Sequence, residues 1–550
     1  MSSTHLARVL VVSALSAALA QLAAAQTDSP MPGPTYPAEN PPNPAQEMLG
    51  KLLFWEEQLS YANSMSCGTC HILEASGSDP RSFGTVNAGP DAQFGTDDDI
   101  HGSQGVVRMD HDGSFLGDTL YAHGFQVTAR KAPPAINAFA YKESFWDGRA
   151  HAAYVSVDTG LVAEATAGAL ESQAAGPPVS DVEMTRVGHT WDDIEAKLAQ
   201  VQPMALATDL PAPMQDFIDQ YKDYPAMFAA AYGDPAITGD RIIFAIGNYE
   251  RTLVSDQTPF DDYLKTGVIA SDLQAGLTVF QNQGSCTACH TMPALTDDTF
   301  HNIGVRPDAE DVGRMAVTGD PLDMAKFKTP GLRNAALRLP LMHNGSKKTL
   351  AEVVDFYDIG GEFPGPNLDT AMLPLFLSAQ DKADLIHFLD AGLTDARVAG
   401  NLPPFDRPTL RSEMTPLNTV YGTTGRSGDG STPSLIAHLP ANRGNPNWLL
   451  GLADSTPNSA AVFALASRQA DGSPLPDKRF PIGMNVDVGT IFLTQILPTD
   501  GLGYATFKLA IPSSSALLGL HVYGQWFITD PAVTATTGVY GSRGVAVEIL

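Results

Sequence analysis

Apolar and polar positions divide the chain into three stretches. Val9 to Ala24 is an apolar run rich in Leu, Val and Ala. Residues 26–44 are rich in Pro, Ser and Asn and read as an extended lead-in. Helical spacing then sets in. Asn43 is placed to cap, Pro44 to take the first turn and Gln46 to close a capping box, with Met48, Leu49, Leu52 and Leu53 on one face. Residues 84–120 form a polar insertion with many Asp and Gly. Helical signals return at Thr190–Val201 with Thr190 as cap, at Arg241–Leu253, and at Asp272–Gln281 with Ser271 as cap. Ser378 starts another helix through Leu385, Ile386, Phe388 and Leu389, ended by Gly392. After Pro403-Pro404 the period changes to two. Thr490–Leu497, Ala505–Ile511, Leu518–Ile528 and Val545–Leu550 read as strands, and residues 410–550 as an all-β sandwich of about seven strands.

At 550 residues the chain is too long for one hydrophobic core, so several domains are expected. Lys and Arg number 33 against 61 Asp and Glu, for a formal charge of −28. That argues against nucleic acid or an anionic membrane as a partner; it suits a basic electron-donor protein, or serves solubility alone. Arg8, the apolar run and Ala23-Ala24-Ala25 before Gln26 read as an export signal over residues 1–25. No later stretch qualifies as a membrane span. The expected location is the periplasm, with free secretion as the alternative.

All four cysteines lie in two copies of one pentapeptide, Cys67-Gly68-Thr69-Cys70-His71 and Cys286-Thr287-Ala288-Cys289-His290. C-x-x-C-H is the attachment signature of c-type haem. The two thiols bond the porphyrin, and His71 or His290 follows as the axial iron ligand. A redox dithiol or half a zinc site does not require the His, and certainly not twice. The expected cofactors are therefore two covalently attached haem c groups. The expected fold is multidomain: two mainly α-helical cytochrome c-like haem domains, at 45–235 and 236–400, followed by the β-sandwich-like domain at 410–550.

Further motifs make residues 45–395 resemble the bacterial di-haem cytochrome c peroxidase and MauG superfamily. They are Leu49-Gly50-Lys51-Leu52-Leu53-Phe54 with Leu59-Ser60, Phe145-Trp146-Asp147-Gly148-Arg149-Ala150, Phe300-His301-Asn302-Ile303-Gly304, Leu332-Arg333-Asn334, and His343-Asn344-Gly345-Ser346 with Thr349-Leu350. The resemblance implies that hydrogen peroxide reacts at the N-terminal haem and that electrons arrive through the C-terminal one. By position it makes Glu183 the acid–base group and Gln173 its polar partner. Trp146 becomes a relay between the haems. His123, seven residues before Arg130-Lys131-Ala132-Pro133, becomes a distal ligand of the resting first haem that must leave before peroxide binds. Many family members bind the second iron with Met, fourteen residues after the His of the H-[DN]-G-S segment. Here that position is Tyr357, as in MauG-type enzymes. A phenolate lowers the potential and favours sharing oxidising equivalents between high-valent haems.

The family's calcium position falls on Lys131, Arg338 and Pro340, so no ion is expected there. The Asp91–Asp99 loop is weighed between calcium and a solvated acidic loop. The expected electron donor is a small cytochrome c or cupredoxin, or an oxidisable substrate, and dimers are common in the family. The rival readings are a MauG-like oxidase that modifies a protein or small molecule, and a non-catalytic electron carrier.

Overall fold

The computed structural model describes residues 29–414, 418–473, 482–533 and 538–550. The export signal expected at 1–25 lies outside the described residues. Among them, no helix is long and apolar enough to cross a membrane.

Helices up to residue 399 are followed by a separate sheet-rich region. The lead-in is extended, as composition suggests, but tied down. Buried Asn40 donates to Glu171 Oε1 at 2.8 Å, and Arg251 Nε donates to the Thr35 carbonyl at 3.0 Å. Pro44–Trp55 begins on Asn43, whose side chain accepts from the Ala45 and Gln46 amides. Gln46 does not close a capping box. It donates to Asn40 Oδ1 at 2.6 Å instead.

Leu49, Leu52 and Leu53 are fully buried against Gly239–Thr252, which presents Ile242, Ile243 and Ile246. The two helices touch at Gly50, where an added Cβ would stand 1.8 Å from the Ala245 carbonyl oxygen. The pattern recurs in the second half. Gln274–Gln281 crosses Ala379–His387 at Gly276, whose Cβ would lie 2.0 Å from the Asp384 carbonyl oxygen. This helix starts at Gln274 with no side-chain cap, so Ser271 does not cap it. Ser378 and Thr190 do cap, each through a full capping box.

Two mainly helical cores result. The first spans Leu49 to Leu253, past residue 235, and takes in Val398, Phe405, Leu410 and parts of the sheet-rich region; the second runs from Phe260 to Leu393. Three two-stranded ribbons decorate them: β1 (Gln104–Val107) with β2 (Phe125–Val127), β3 (Tyr154–Val155) with β4 (Val162–Glu164), and β5 (Phe300–His301) with β6 (Phe327–Lys328). The insertion is less polar inside than its composition suggests, because Val106, Val107, Met109 and Phe115 are buried in it.

Among its described residues the C-terminal region has eight strands: β7 (Thr419–Tyr421), β8 (Ser434–Ile436), β9 (Trp448–Ala453), β10 (Ala460–Ala466), β11 (Ile491–Pro498), β12 (Ala505–Leu509), β13 (His521–Thr529) and β14 (Val539–Glu548). They pair antiparallel in two sheets, ordered β11-β10-β13-β14-β7 and β12-β9-β8. Trp448, Leu450 and Leu452 face Phe463, Trp526, Val545 and Val547 across the sandwich. The opposite face of β9, with Leu449 and Ala453, belongs to the first helical core. The strand is thus buried on both sides, and it reads as a continuous apolar run rather than an alternating one.

Candidate active site

Both pentapeptides fold the same way. The cysteines wrap one short turn, Cys67–Cys70 or Cys286–Ala288, and the following His is fixed from behind. His71 Nδ1 donates to the Gly77 carbonyl at 2.8 Å and His290 Nδ1 to the Leu295 carbonyl at 2.9 Å. A carbonyl can only accept, so each ring keeps Nε2 unprotonated and available to a metal. Burial lowers the pKa of both imidazoles, that of His290 to about 4, which keeps them neutral at pH 7.

Cys67, Cys70 and His71 open onto a cavity of about 680 Å³. Glu183 and Gln173 line the same space, with Phe54, Trp146 and the basic side chains of Arg130, Lys131 and Arg149. Gln173 rides on the Ala169–Ala174 helix. That helix is pinned by the buried Glu171–Arg251 pair, whose oxygens accept from the guanidinium at 2.5 and 2.8 Å. Glu183 sits on a loop closed by the Ser180 carbonyl, which accepts from the amides of Glu183, Met184 and Thr185 at 3.0–3.2 Å. Burial raises the Glu183 pKa against the opposing pull of Arg149. A carboxyl so placed can hold or release a proton nearer neutrality than a solvated one.

Cys286, Cys289 and His290 open onto a tighter cavity of about 200 Å³. Its wall is largely aliphatic and includes neither Glu nor Gln. Tyr357, on the Leu350–Asp358 helix, lines it. Burial first, then the Cys286 and Cys289 thiols, push the phenol well above its ordinary range. Such a phenol ionises only if a cation stabilises the phenolate. His343 stacks on Phe327 at 3.6 Å, and burial takes its pKa to about 4.

Trp146 lines both cavities. Its indole N–H donates to the Lys131 carbonyl at 2.8 Å, and its own carbonyl accepts from the Lys328 amide at 2.8 Å. The Lys131 amide in turn donates to the His343 carbonyl at 2.8 Å. The Lys131 ammonium is buried and donates to Ser78 Oγ. Burial and the Arg338 charge lower its pKa to about 7. Two cations at this position do not make a divalent-ion site. In the acidic loop, Asp91, Asp98 and Asp99 accept from the loop's own backbone at Gln93, Asp91 and Gly95.

His123 departs from expectation. It does not line the first cavity. Its Nδ1 lies 3.5 Å from Asp454 Oδ2 in the sheet-rich region. Its loop is held there by β1–β2 pairing and by packing of the following Phe125 ring on His438 at 5.0 Å.

Two groups escaped the sequence reading. Glu250 lines the first cavity, and burial first, then Glu171, raises its pKa to about 8. It falls four residues after Ile246 and seven after Ile243, on the buried face of its helix, so its misplaced charge was a visible signal. Arg130 bridges Asp147 and Asp311 at 2.6–2.7 Å at the cavity rim. Asp311 is remote in sequence, and nothing in the spacing announces it.

Several known proteins are similar to this chain. The Methylamine utilization protein MauG of Methylorubrum extorquens is 28% identical over 361 residues, 64% of this chain and 80% of that protein. The Cytochrome-c peroxidase IdrP2 of Denitromonas iodatirespirans is 28% identical over 373 residues, 62% of this chain and 80% of its own. A crystal structure of a MauG-like protein associated with microbial copper homeostasis aligns with 25% identity and a TM-score of 0.48, over 68% of this chain and 97% of that one. The family model described as Di-haem cytochrome c peroxidase matches residues 44–268, and over those residues the chain is similar to that family.

Proposed function

We propose that the chain is an exported di-haem c-type peroxidase that reduces hydrogen peroxide to water in the periplasm. Cys67 and Cys70 hold one haem covalently with His71 on its iron, and Cys286 and Cys289 hold the other with His290. The donor set fits: each pair of thiols flanks a cavity whose histidine is neutral and oriented by a carbonyl. Arg130, Lys131 and Arg149 suit the anionic side chains of a porphyrin in the first cavity. The haems supply redox equivalents and a site for oxygen. The carrying observation is that Glu183 and Gln173 share the first cavity with His71, while the second cavity's wall holds neither kind of residue.

The protein's own groups then divide the work. Glu183 takes the proton of hydrogen peroxide and returns it to the departing oxygen as water forms. Gln173 orients the peroxide by hydrogen bonding. Trp146, fixed by the Lys131 carbonyl, lies between the cavities as the relay for electrons entering through the second. The donor is a small cytochrome c or cupredoxin matched to the acidic chain. Peroxide consumption by the two-haem protein with such a reduced donor tests the reading. Turnover should be brisk in the parent and lost in Glu183→Gln, and equal rates in the two proteins would refute it.

Tyr357 favours a second reading, an oxidase acting on a protein or small molecule. A phenolate on the second iron would lower its potential. Tyr357→Met should raise the midpoint potential of one haem and improve turnover with cytochrome c. If the potential stays put, Tyr357 is a wall residue and the oxidase reading loses its support.

A further inference from the structure

The sheet-rich region is not a pendant module. Phe115, in the insertion, packs where a Cβ on Gly451 of β9 would come 2.6 Å from its ring. The Phe115 amide donates to Thr506 Oγ1 at 2.7 Å, and Lys508 Nζ donates to Tyr61 OH at 2.8 Å and to the Asp112 carbonyl at 3.3 Å. Gly117 lies against Leu502 and Tyr504, His123 against Asp454, and Phe125 against His438. Every contact from 112 to 125 just named, apart from the Lys508–Tyr61 bond, joins the insertion to the sheets.

The other side of the insertion carries the Glu183 loop. The Val106 backbone amide donates to the Val182 carbonyl at 3.0 Å, and the buried Gln126 side chain donates through Nε2 to the Asp181 carbonyl at 2.8 Å. A Cβ on Gly105 would stand 1.9 Å from the Val182 carbonyl oxygen. Insertion and Glu183 loop are therefore one packed layer, backed by β8, β9 and β12.

We propose that the C-terminal sheets clamp residues 112–125 so that His123 stays outside the first cavity, leaving that cavity open to peroxide in the fully oxidised protein. The Asp454 contact of His123 and the His438 contact of Phe125 hold this loop against the sheet-rich region, and breaking them frees His123 to move. Loss of the clamp therefore shifts a two-state equilibrium toward a blocked iron. Asp454 and Phe115 act as positioning residues, through the loop rather than on substrate. The proposal rests on the reading of the first cavity as the peroxide site.

Low-temperature EPR of the oxidised, full-length, two-haem protein tests it. The parent should show a high-spin ferric signal from one haem, and its Soret band should respond to peroxide without prior reduction. Asp454→Ala combined with Phe115→Ala should convert that signal to low-spin and cut the peroxide-responsive fraction roughly tenfold. Adding His123→Ala to that pair should restore the high-spin signal, a rescue that a merely misfolded variant would not give. A parent that is wholly low-spin and inert until reduced overturns the proposal, as does a double variant with the parent's spectrum. The spin state reads the clamp whatever the donor. Failure of the peroxidase reading would appear separately, as Glu183→Gln turning over at the parent's rate.

Discussion

The two cysteine-flanked cavities share a plan and differ in their walls. Each has a paired-cysteine turn, a carbonyl-bound histidine, and a helix crossing at a glycine followed four residues later by a lining phenylalanine, Phe54 or Phe280. The first is roomy and is lined by Glu183, Glu250, Gln173 and the basic side chains of Arg130, Lys131 and Arg149, among other polar groups. The second is tight and mostly aliphatic, with a buried phenol. The shared cysteine turn and carbonyl-bound histidine do not distinguish the two cavities; the Glu183–Gln173 pair and the larger volume of the first do.

The largest effect should come from removing one anchor at a time. Cys67→Ala with Cys70→Ala should leave one haem per chain by mass and abolish every response to peroxide. The matching change at Cys286 and Cys289 should stop donor-driven turnover but spare the first reaction of the oxidised protein with peroxide. Equal phenotypes would break the division of labour.

Glu183→Gln, with both haems retained, should slow peroxide reduction by roughly 10²- to 10⁴-fold, the usual worth of a positioned acid–base group. The base form is required at the start. Because burial raises the Glu183 pKa, the parent rate should climb with pH through a value above the ordinary carboxylate range, and Glu183→Gln should lose that limb. A pH–rate profile from 4 to 8 reads both.

Trp146→Phe sharpens the link between the cavities. Stopped-flow should show peroxide reacting at the parent rate, while electron transfer from the second haem slows by about tenfold, a barrier change near 1.4 kcal/mol. An unchanged transfer rate would make the indole simple packing.

The smallest effect concerns Glu250. Its carboxyl stays protonated in the folded protein up to pH of about 8, but ionises near its usual value once unfolded. Between those values the folded state holds more protons, so stability falls as pH rises. Glu250→Gln should flatten that slope, seen as a smaller drop in Tm between pH 5 and pH 8.

Much of this was legible in sequence, and the reasons are local. C-x-x-C-H requires its residues side by side, so the motif announces its own geometry. Glu183 and Gln173 lie ten residues apart around a turn, and the chain brings them into one cavity. β11, β12, β13 and part of β14 coincide with runs legible in the sequence; β7 to β10 do not, and the apolar runs of β9 and β10 lack a two-residue period. His123 could be placed by offset from Arg130, but its surroundings come from Asp454 and His438, more than 300 residues away in the chain. Long-range partners of that kind leave no periodic trace. Asp311 on Arg130 is another case.

β9 has water on neither side. Leu449 and Ala453 hold the helical half and Trp448, Leu450 and Leu452 the sheet half, each large side chain worth about 1.5–3 kcal/mol when fully buried. Neither half can melt and leave the other with a finished surface. Calorimetry should therefore find the sheets and the first helical core melting in a single event.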